Sequence, residues 1–240
     1  MSSPPIYRID HAVLAVRDLD ASAGRLWEEY GLRFAPGGRH PRWGTANMIA
    51  PLGRDYLELL SVVDEEVGSS TVLGRTLLDL SADGDRWFSV CLSDEEIETT
   101  AARLGLTVQP GSRTRPDGTE VRWRGAGIEE RGPDLWLPFF ISWDVPTALH
   151  PGSGPLPGAA PVEHRIAVER IAWAEVGGDE ERLREWLGGA DSPIRVVDGE
   201  PGVHTVGISI RDGDERRLAF GEQRPVGGTW EPPKTAGTDG

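Results

Sequence analysis

The sequence predicts an α+β protein: tandem βαβββ modules that curve into a half-open barrel, followed by a third related βαβββ unit. Three observations predict it. Tyr7–Val16 and Asp55–Val63 are short apolar runs broken by a few polar residues, as in buried strands. Gly31-Leu32, Pro36-Gly37, Arg39 and Gly44-Thr45 recur 74 residues later as Gly105-Leu106, Pro110-Gly111, Arg113 and Gly118-Thr119. Unrelated turns rarely share such a set in one register, so the unit is duplicated. The same order of elements then returns once more beyond a stretch rich in Pro, Gly and Ala, Pro146–Pro161.

In the first module, strand Tyr7–Val16 leads into helix Leu19–Tyr30, with Asp18 or Asp20 as its cap and Gly31 after its end. Strands follow around Leu32–Ala35, Ala46–Pro51 and Asp55–Val63. In the second module, strand Arg86–Leu92 precedes a helix Asp94–Leu104 capped by Ser93, and Leu135–Trp143 closes the unit. In the third, strand Val168–Val176, helix Asp179–Leu187 and strands Ile194–Val197, Val203–Ile210 and Arg216–Phe220 complete the order. These readings divide the chain into paired modules over 6–145 (6–64 and 85–144), a linker over 146–164, a third unit over 165–222 and a disordered tail over 223–240. Helices covering one face of each sheet leave the other face to curve around a cavity, a common place for ligands.

Composition narrows the function. The 240 residues suffice for one large domain or two small ones. A net charge of −14, spread along the chain, argues against a nucleic-acid partner. No apolar run approaches the ~18–20 residues of a membrane helix. The opening MSSPPIYRID has neither the basic region nor the apolar core of a signal peptide. The expectation is a cytoplasmic protein without a membrane partner. The single Cys91 excludes an internal disulfide and lies in an apolar strand without a cationic neighbour in sequence, as a buried thiol does. No phosphate loop, dinucleotide fingerprint or nucleophile elbow is present, so no nucleotide cofactor is expected. The expected partner is a small-molecule ligand or substrate, and a homodimer is one way the third unit would be used.

Two polar residues stand out on the apolar strands of the first module: His11 in IDHAVLAV, and Glu58 between Leu57 and Leu59. Burying either without a partner is costly, which directs attention to a site. Between them lies a polar segment, Arg39 to Asn47, read as a loop and rich in functional groups.

These residues resemble the glyoxalase-like branch of the vicinal-oxygen-chelate superfamily. The resemblance rests on IDHAVLAV with the following DLD, the block GRHPRWGTAN, the strand YLELL, and PFFISWD followed by His150-Pro151. It spans about Ile6–Gly152 well and the third repeat more loosely. It implies a divalent metal, held by side chains from the first and fourth strand of each module and chelating two adjacent substrate oxygens. His11 and Glu58 hold the expected places in the first module. In the second, aligning Leu92 with Val16 and Ser142 with Ser61 puts Trp87 and Phe139 there, and neither side chain binds a metal. Two protein ligands make a poor site.

His40 is the candidate for the missing partner, as third ligand or as an acid/base group beside Glu58. Asn47 and Thr45 are candidates to hydrogen-bond a substrate carbonyl, although Gly44-Thr45 also serves as ordinary turn chemistry. Arg39 and Arg113, matched by the repeat, are candidates to face an acidic ligand; structural ion pairs are the plainer reading. Trp43 and Trp143, with Trp87 and Phe139, would form an aromatic wall, and such aromatics more often fill a core. His150 would close over the cavity, against a plain surface turn. Three functions stay open at this point: a metal-dependent lyase, isomerase or dioxygenase on a small vicinal-oxygen substrate; a metal-free protein that sequesters a small molecule; and a metal-free enzyme using Glu58 and His11 as an acid/base pair.

Overall fold

The computed structural model describes residues 6–115, 117–154, 161–211 and 213–220. The tail expected over 223–240 and the middle of the expected linker lie outside the described residues. The first module runs β1 (Arg8–Ala15), α1 (Leu19–Tyr30), β2 (Ala35–His40), β3 (Thr45–Pro51) and β4 (Tyr56–Val62). Asp18 caps α1 by accepting the Ala21 N–H, and Gly31 ends the helix at φ 72°. That left-handed geometry is one glycine adopts without strain. The second strand lies later than expected. The polar segment Arg39–Asn47 is not a loop: only Pro41–Gly44 forms the turn, and the rest belongs to β2 and β3.

Two short helices, α2 (Glu65–Ser70) and α3 (Val72–Leu80), are inserted between the modules and were not expected. Asp64 and Thr71 cap them, and Leu77 of α3 packs beside Val13, Leu60 and Phe88. The second module follows as β5 (Arg86–Ser93), α4 (Ile97–Leu104), β6 (Val108–Thr114), β7 (Glu120–Ala126) and β8 (Phe139–Trp143). Its helix starts three residues later than expected. Asp94 accepts the Glu96 N–H in a local turn, and the Ser93 hydroxyl is taken by Arg8.

The eight strands close in the order β1-β4-β3-β2-β6-β7-β8-β5. Within each module the first strand runs parallel to the fourth, and β1 joins β5 antiparallel. On the far side a single residue pair, Arg39 with Thr114, joins β2 to β6, so that seam is nearly open.

The third unit comprises β9 (Val168–Gly177), α5 (Glu180–Trp186), β10 (Ile194–Val197), β11 (Gly202–Ile210) and β12 (Glu215–Ala219). It keeps the expected order of elements, but its sheet runs β10-β9-β11-β12. The short crossover through α5 sets β10 beside β9, in parallel, where the barrel modules place their fourth strand.

This sheet packs on the outside of the barrel rather than extending it. The Trp87 indole donates to the Leu218 carbonyl, Trp186 to the Pro138 carbonyl, and the Tyr7 N–H to Asp191 O. One apolar core runs through both, from Leu14, Leu59 and Phe140 to Ile171, Val206 and Leu218. Among the described residues no helix is long and apolar enough to cross a membrane.

Asp55, at the start of β4, ties the two parts together by accepting the Ile171 N–H at 2.8 Å. Its pKa is raised to about 6 from 3.8: burial raises it, and the Ile171 N–H and Arg8 only partly offset that. In the unfolded chain the carboxyl ionises near its ordinary value; in the folded protein it does so near pH 6. Its contribution to stability is therefore fully present below about pH 4 and is lost as pH rises to about 6. The loss is at most about 3 kcal/mol. Asp55→Asn keeps an acceptor for Ile171. It is expected to raise stability by about 1–3 kcal/mol at pH 8 and hardly at all at pH 4. Urea midpoints measured across that range check this, and parallel pH profiles for the two proteins would refute it.

Candidate active site

The barrel encloses a cavity of about 900 Å³, lined from the first module by His11, His40, Asn47 and Glu58 and from the second by Arg113 and Trp143. His11 projects from β1 onto the Tyr56 ring, stacked at 4.5 Å between centres, with the edge of Phe139 at 5.6 Å. Its Nδ1 meets Asp10 Oδ1 at 2.8 Å. Strict alternation would send Asp10 to the opposite face from His11. The register between β1 and β5 skips this residue, since Ile9 pairs with Leu92 and His11 with Cys91. Such a bulge re-aims a side chain, and it turns the carboxylate toward the imidazole.

Asp10 is fully buried and receives two more donors, the Trp143 indole at 3.1 Å and His150 Nε2 at 3.2 Å. Burial alone would raise its pKa; the hydrogen bonds from His11 and His150 outweigh that and hold it well below the usual carboxylate range. An ionised carboxylate only accepts, so His11 Nδ1 carries the hydrogen of this contact and Nε2 is the nitrogen left toward the cavity. That nitrogen lies 3.8 Å from Glu58 Oε2. Glu58 Oε1 accepts the Asn47 amide at 2.5 Å, and Asn47 Oδ1 in turn accepts Arg113 Nη1 at 3.4 Å. The chain Arg113–Asn47–Glu58 pins one carboxylate oxygen and leaves the other toward His11.

His40 lies at the end of β2, buried, with Nδ1 at 3.0 Å from the Thr45 hydroxyl. Burial lowers its pKa, with Arg113 adding to the effect and Glu58 opposing it, so the ring is neutral at pH 7. Trp43 lines the cavity beside it, 5.8 Å from the His40 ring.

Arg39 does not join the site. Between Pro36 and Gly38 the register of β2 against β3 slips by one residue, so Gly37 is an extra residue and every side chain beyond it changes face. Arg39 is exposed while His40 points in. β6 pairs with β7 without such a step, so Arg113 points in from the place the repeat matches to Arg39. A Cβ on Gly37 would fall 2.3 Å from Asn47 Oδ1 and 2.7 Å from Arg113 Nη1, so a larger residue here would displace those two side chains. Trp87 does not face His11 either. A second slip in β5, between its partners Val13 and Leu14, turns it outward against Leu218, and Cys91 is the residue paired with His11. His150 does not line the cavity; it stands behind Asp10, with Nδ1 accepting the Gly152 N–H.

Two functional candidates had no clear signal in the sequence. Asp10 was hidden by the bulge. Arg131, in the irregular segment between β7 and β8, lines the opposite wall and donates to Ser89.

A model of the glyoxalase-like domain family matches residues 9–190, the whole barrel and the start of the third unit. The chain belongs to the glyoxalase-like domain family. No curated protein sequence matches it. Among solved structures, a hypothetical protein from Staphylococcus aureus is similar at 16% identity over 90% of this chain and 87% of that one, with a TM-score of 0.58. This likeness extends the shared fold beyond the barrel. A variant of the Streptomyces coelicolor methylmalonyl-CoA epimerase in complex with 2-nitronate-propionyl-CoA is similar at 19% identity over 59% of this chain and 100% of that one, with a TM-score of 0.43. The Mycobacterium tuberculosis methylmalonyl-CoA epimerase is similar at 16% over 59% and 91%, also at 0.43.

Glyoxalase-like domains commonly bind a divalent metal, and the donor set here tests that expectation. His11 Nε2 and Glu58 Oε2 are close enough to share an ion. Among the described residues no group of three His, Cys, Asp or Glu side chains converges, so His40 does not complete a set with them. The second module offers Cys91, Phe139 and Ile141 at the facing positions, and burial pushes the Cys91 thiol well up. Two donors fall short of the three protein ligands usual at a catalytic ion, so the residues do not fit one.

Proposed function

We propose that this glyoxalase-like domain is an enzyme that moves a proton on a small oxygenated substrate, with Glu58 as base and His11 as its proton-accepting partner. One observation carries the reading: Asp10 fixes His11 Nδ1, which aims Nε2 at Glu58 across 3.8 Å. Glu58 Oε2 removes the proton from a carbon next to a carbonyl, and the electron pair moves onto the carbonyl oxygen. The Arg113 guanidinium and the Asn47 amide offer charge and hydrogen bonds to that developing oxyanion. The proton passes to His11, whose imidazolium is stabilised by the Asp10 carboxylate, and returns at another face or position of the substrate. The net change is an isomerisation, or an elimination when a leaving group departs instead, and neither consumes an oxidant. A base and an acid within one proton transfer of each other suit this chemistry.

The test is hydrogen exchange in D2O, with EDTA present, over a panel of 2- and 3-substituted carbonyl compounds followed by proton NMR. Catalysed loss of the α-proton signal is expected, undiminished by the chelator. Exchange that appears only after a divalent metal is supplied, with one equivalent retained by the protein and released on His11→Ala, would overturn the reading in favour of a metal enzyme. Tight binding with no exchange anywhere in the panel would overturn it in favour of a sequestering protein.

A further inference from the structure

Arg131 is 2% exposed, and its guanidinium is held over the apolar wall of the cavity. Its carbon Cζ lies 5.3 Å from the centre of the Phe88 ring and 5.4 Å from that of Phe139. Nη1 donates to the Ser89 hydroxyl and to the carbonyls of Leu137 at 3.2 Å and Leu135 at 3.5 Å. Nε is buried without a hydrogen-bond partner. Other arginines, such as Arg124, Arg182 and Arg217, pair with carboxylates; among the described residues none pairs with Arg131. The ionisable group that acts on it is Cys91, whose buried thiol stays protonated. Burial lowers the Arg131 pKa only to about 10, so the group remains a cation at neutral pH.

A buried cation facing only neutral groups is expensive. Neutral donors would serve the two carbonyls and the hydroxyl without that cost. The protein as a whole carries a net charge of −14, yet it keeps this positive group inside its cavity. The Phe139 ring joins Arg131 to the proton-transfer pair, since His11 meets the same ring at 5.6 Å.

We propose that Arg131 is the counter-ion for a carboxylate on the substrate, so that this cavity takes a small organic acid. Its carboxylate sits at Arg131, its apolar body lies along Phe88 and Phe139, and its reacting carbon reaches Glu58 and His11. One cation with a partly used guanidinium suits a singly charged, planar group better than a phosphate, which calls for more donors. The inference rests on the cavity being the reaction site, as proposed above.

The test compares 4-phenylbutyrate with its primary amide, an uncharged isostere, by isothermal calorimetry on the whole protein. The native protein is expected to bind the acid at least tenfold more tightly than the amide. Arg131→Met is expected to erase that preference while leaving amide binding within about twofold, and Arg131→Lys to restore part of it. Equal binding of acid and amide by the native protein, or a tenfold preference that survives Arg131→Met, overturns the assignment and leaves the proton-transfer reading standing. Should Arg131→Met fail to fold, Arg113→Met decides. Retained acid preference there supports Arg131, and its loss transfers the role to Arg113 and overturns the proposal. If neither compound binds, the proposal falls together with the cavity's role as a small-molecule site.

Discussion

Glu58→Gln is expected to lower turnover by about 10²- to 10⁴-fold, the range for removing a positioned general base. The substitution is nearly isosteric. An oxygen remains to accept the Asn47 amide, so the Arg113–Asn47 chain and the walls of the cavity should hold their places. What is lost is the oxygen that faces His11, replaced by an amide nitrogen that cannot take a proton. The expected signature is a fall in kcat with KM changed by less than about threefold, because an interaction made only in the transition state lowers kcat and kcat/KM together. A rise in KM with kcat preserved would show that Glu58 binds rather than reacts. Exchange of the α-proton in D2O gives the same answer without a coupled assay, since it reports the first step alone.

Phe140→Ala is expected to destabilise the whole molecule by about 3–5 kcal/mol, the usual cost of removing a fully buried aromatic ring. Phe140 is completely buried on the outer face of β8, with the Tyr7 ring 5.2 Å away. It belongs to the core shared by the barrel and the third sheet. The cavity left behind would weaken both parts at once. Urea unfolding should therefore remain a single transition, shifted to lower urea and superimposable by circular dichroism and tryptophan fluorescence. Two separated transitions, only one of them shifted, would mean that barrel and third sheet fold independently.

Much of this architecture could be read from the sequence because the apolar strand runs and the repeat both extend over many residues. They fixed β1, β3, β4 and the elements of the third unit to within a residue or two, and they placed His11, Asn47 and Glu58 on one cavity. What could not be read depends on single residues. A bulge changes which face every later side chain takes, yet leaves no compositional trace. For that reason the sequence pattern gives no sign of Asp10, puts Arg39 inside, and sets Trp87 opposite His11. α2 and α3 did carry signals in the capping residues Asp64 and Thr71, but each is too short to show a convincing helical period. Arg131 sits in an irregular segment where neither kind of periodicity applies.

The extra residue at Gly37 has a consequence for how the two halves share their work. A barrel built from two copies of one module begins with each wall residue present twice, and symmetry alone would give a cavity with matching ends. One slip in register breaks that match without altering a side chain. The arginine common to both copies faces water in one and the cavity in the other. Under the proposed function, the first copy holds the reagents, His11 and Glu58, and the second supplies aromatic rings and two inward cations, Arg113 and Arg131. On that proposal, substitutions in the second copy would retune what the cavity admits while His11 and Glu58 stay as they are, so a new substrate would not call for a new reaction.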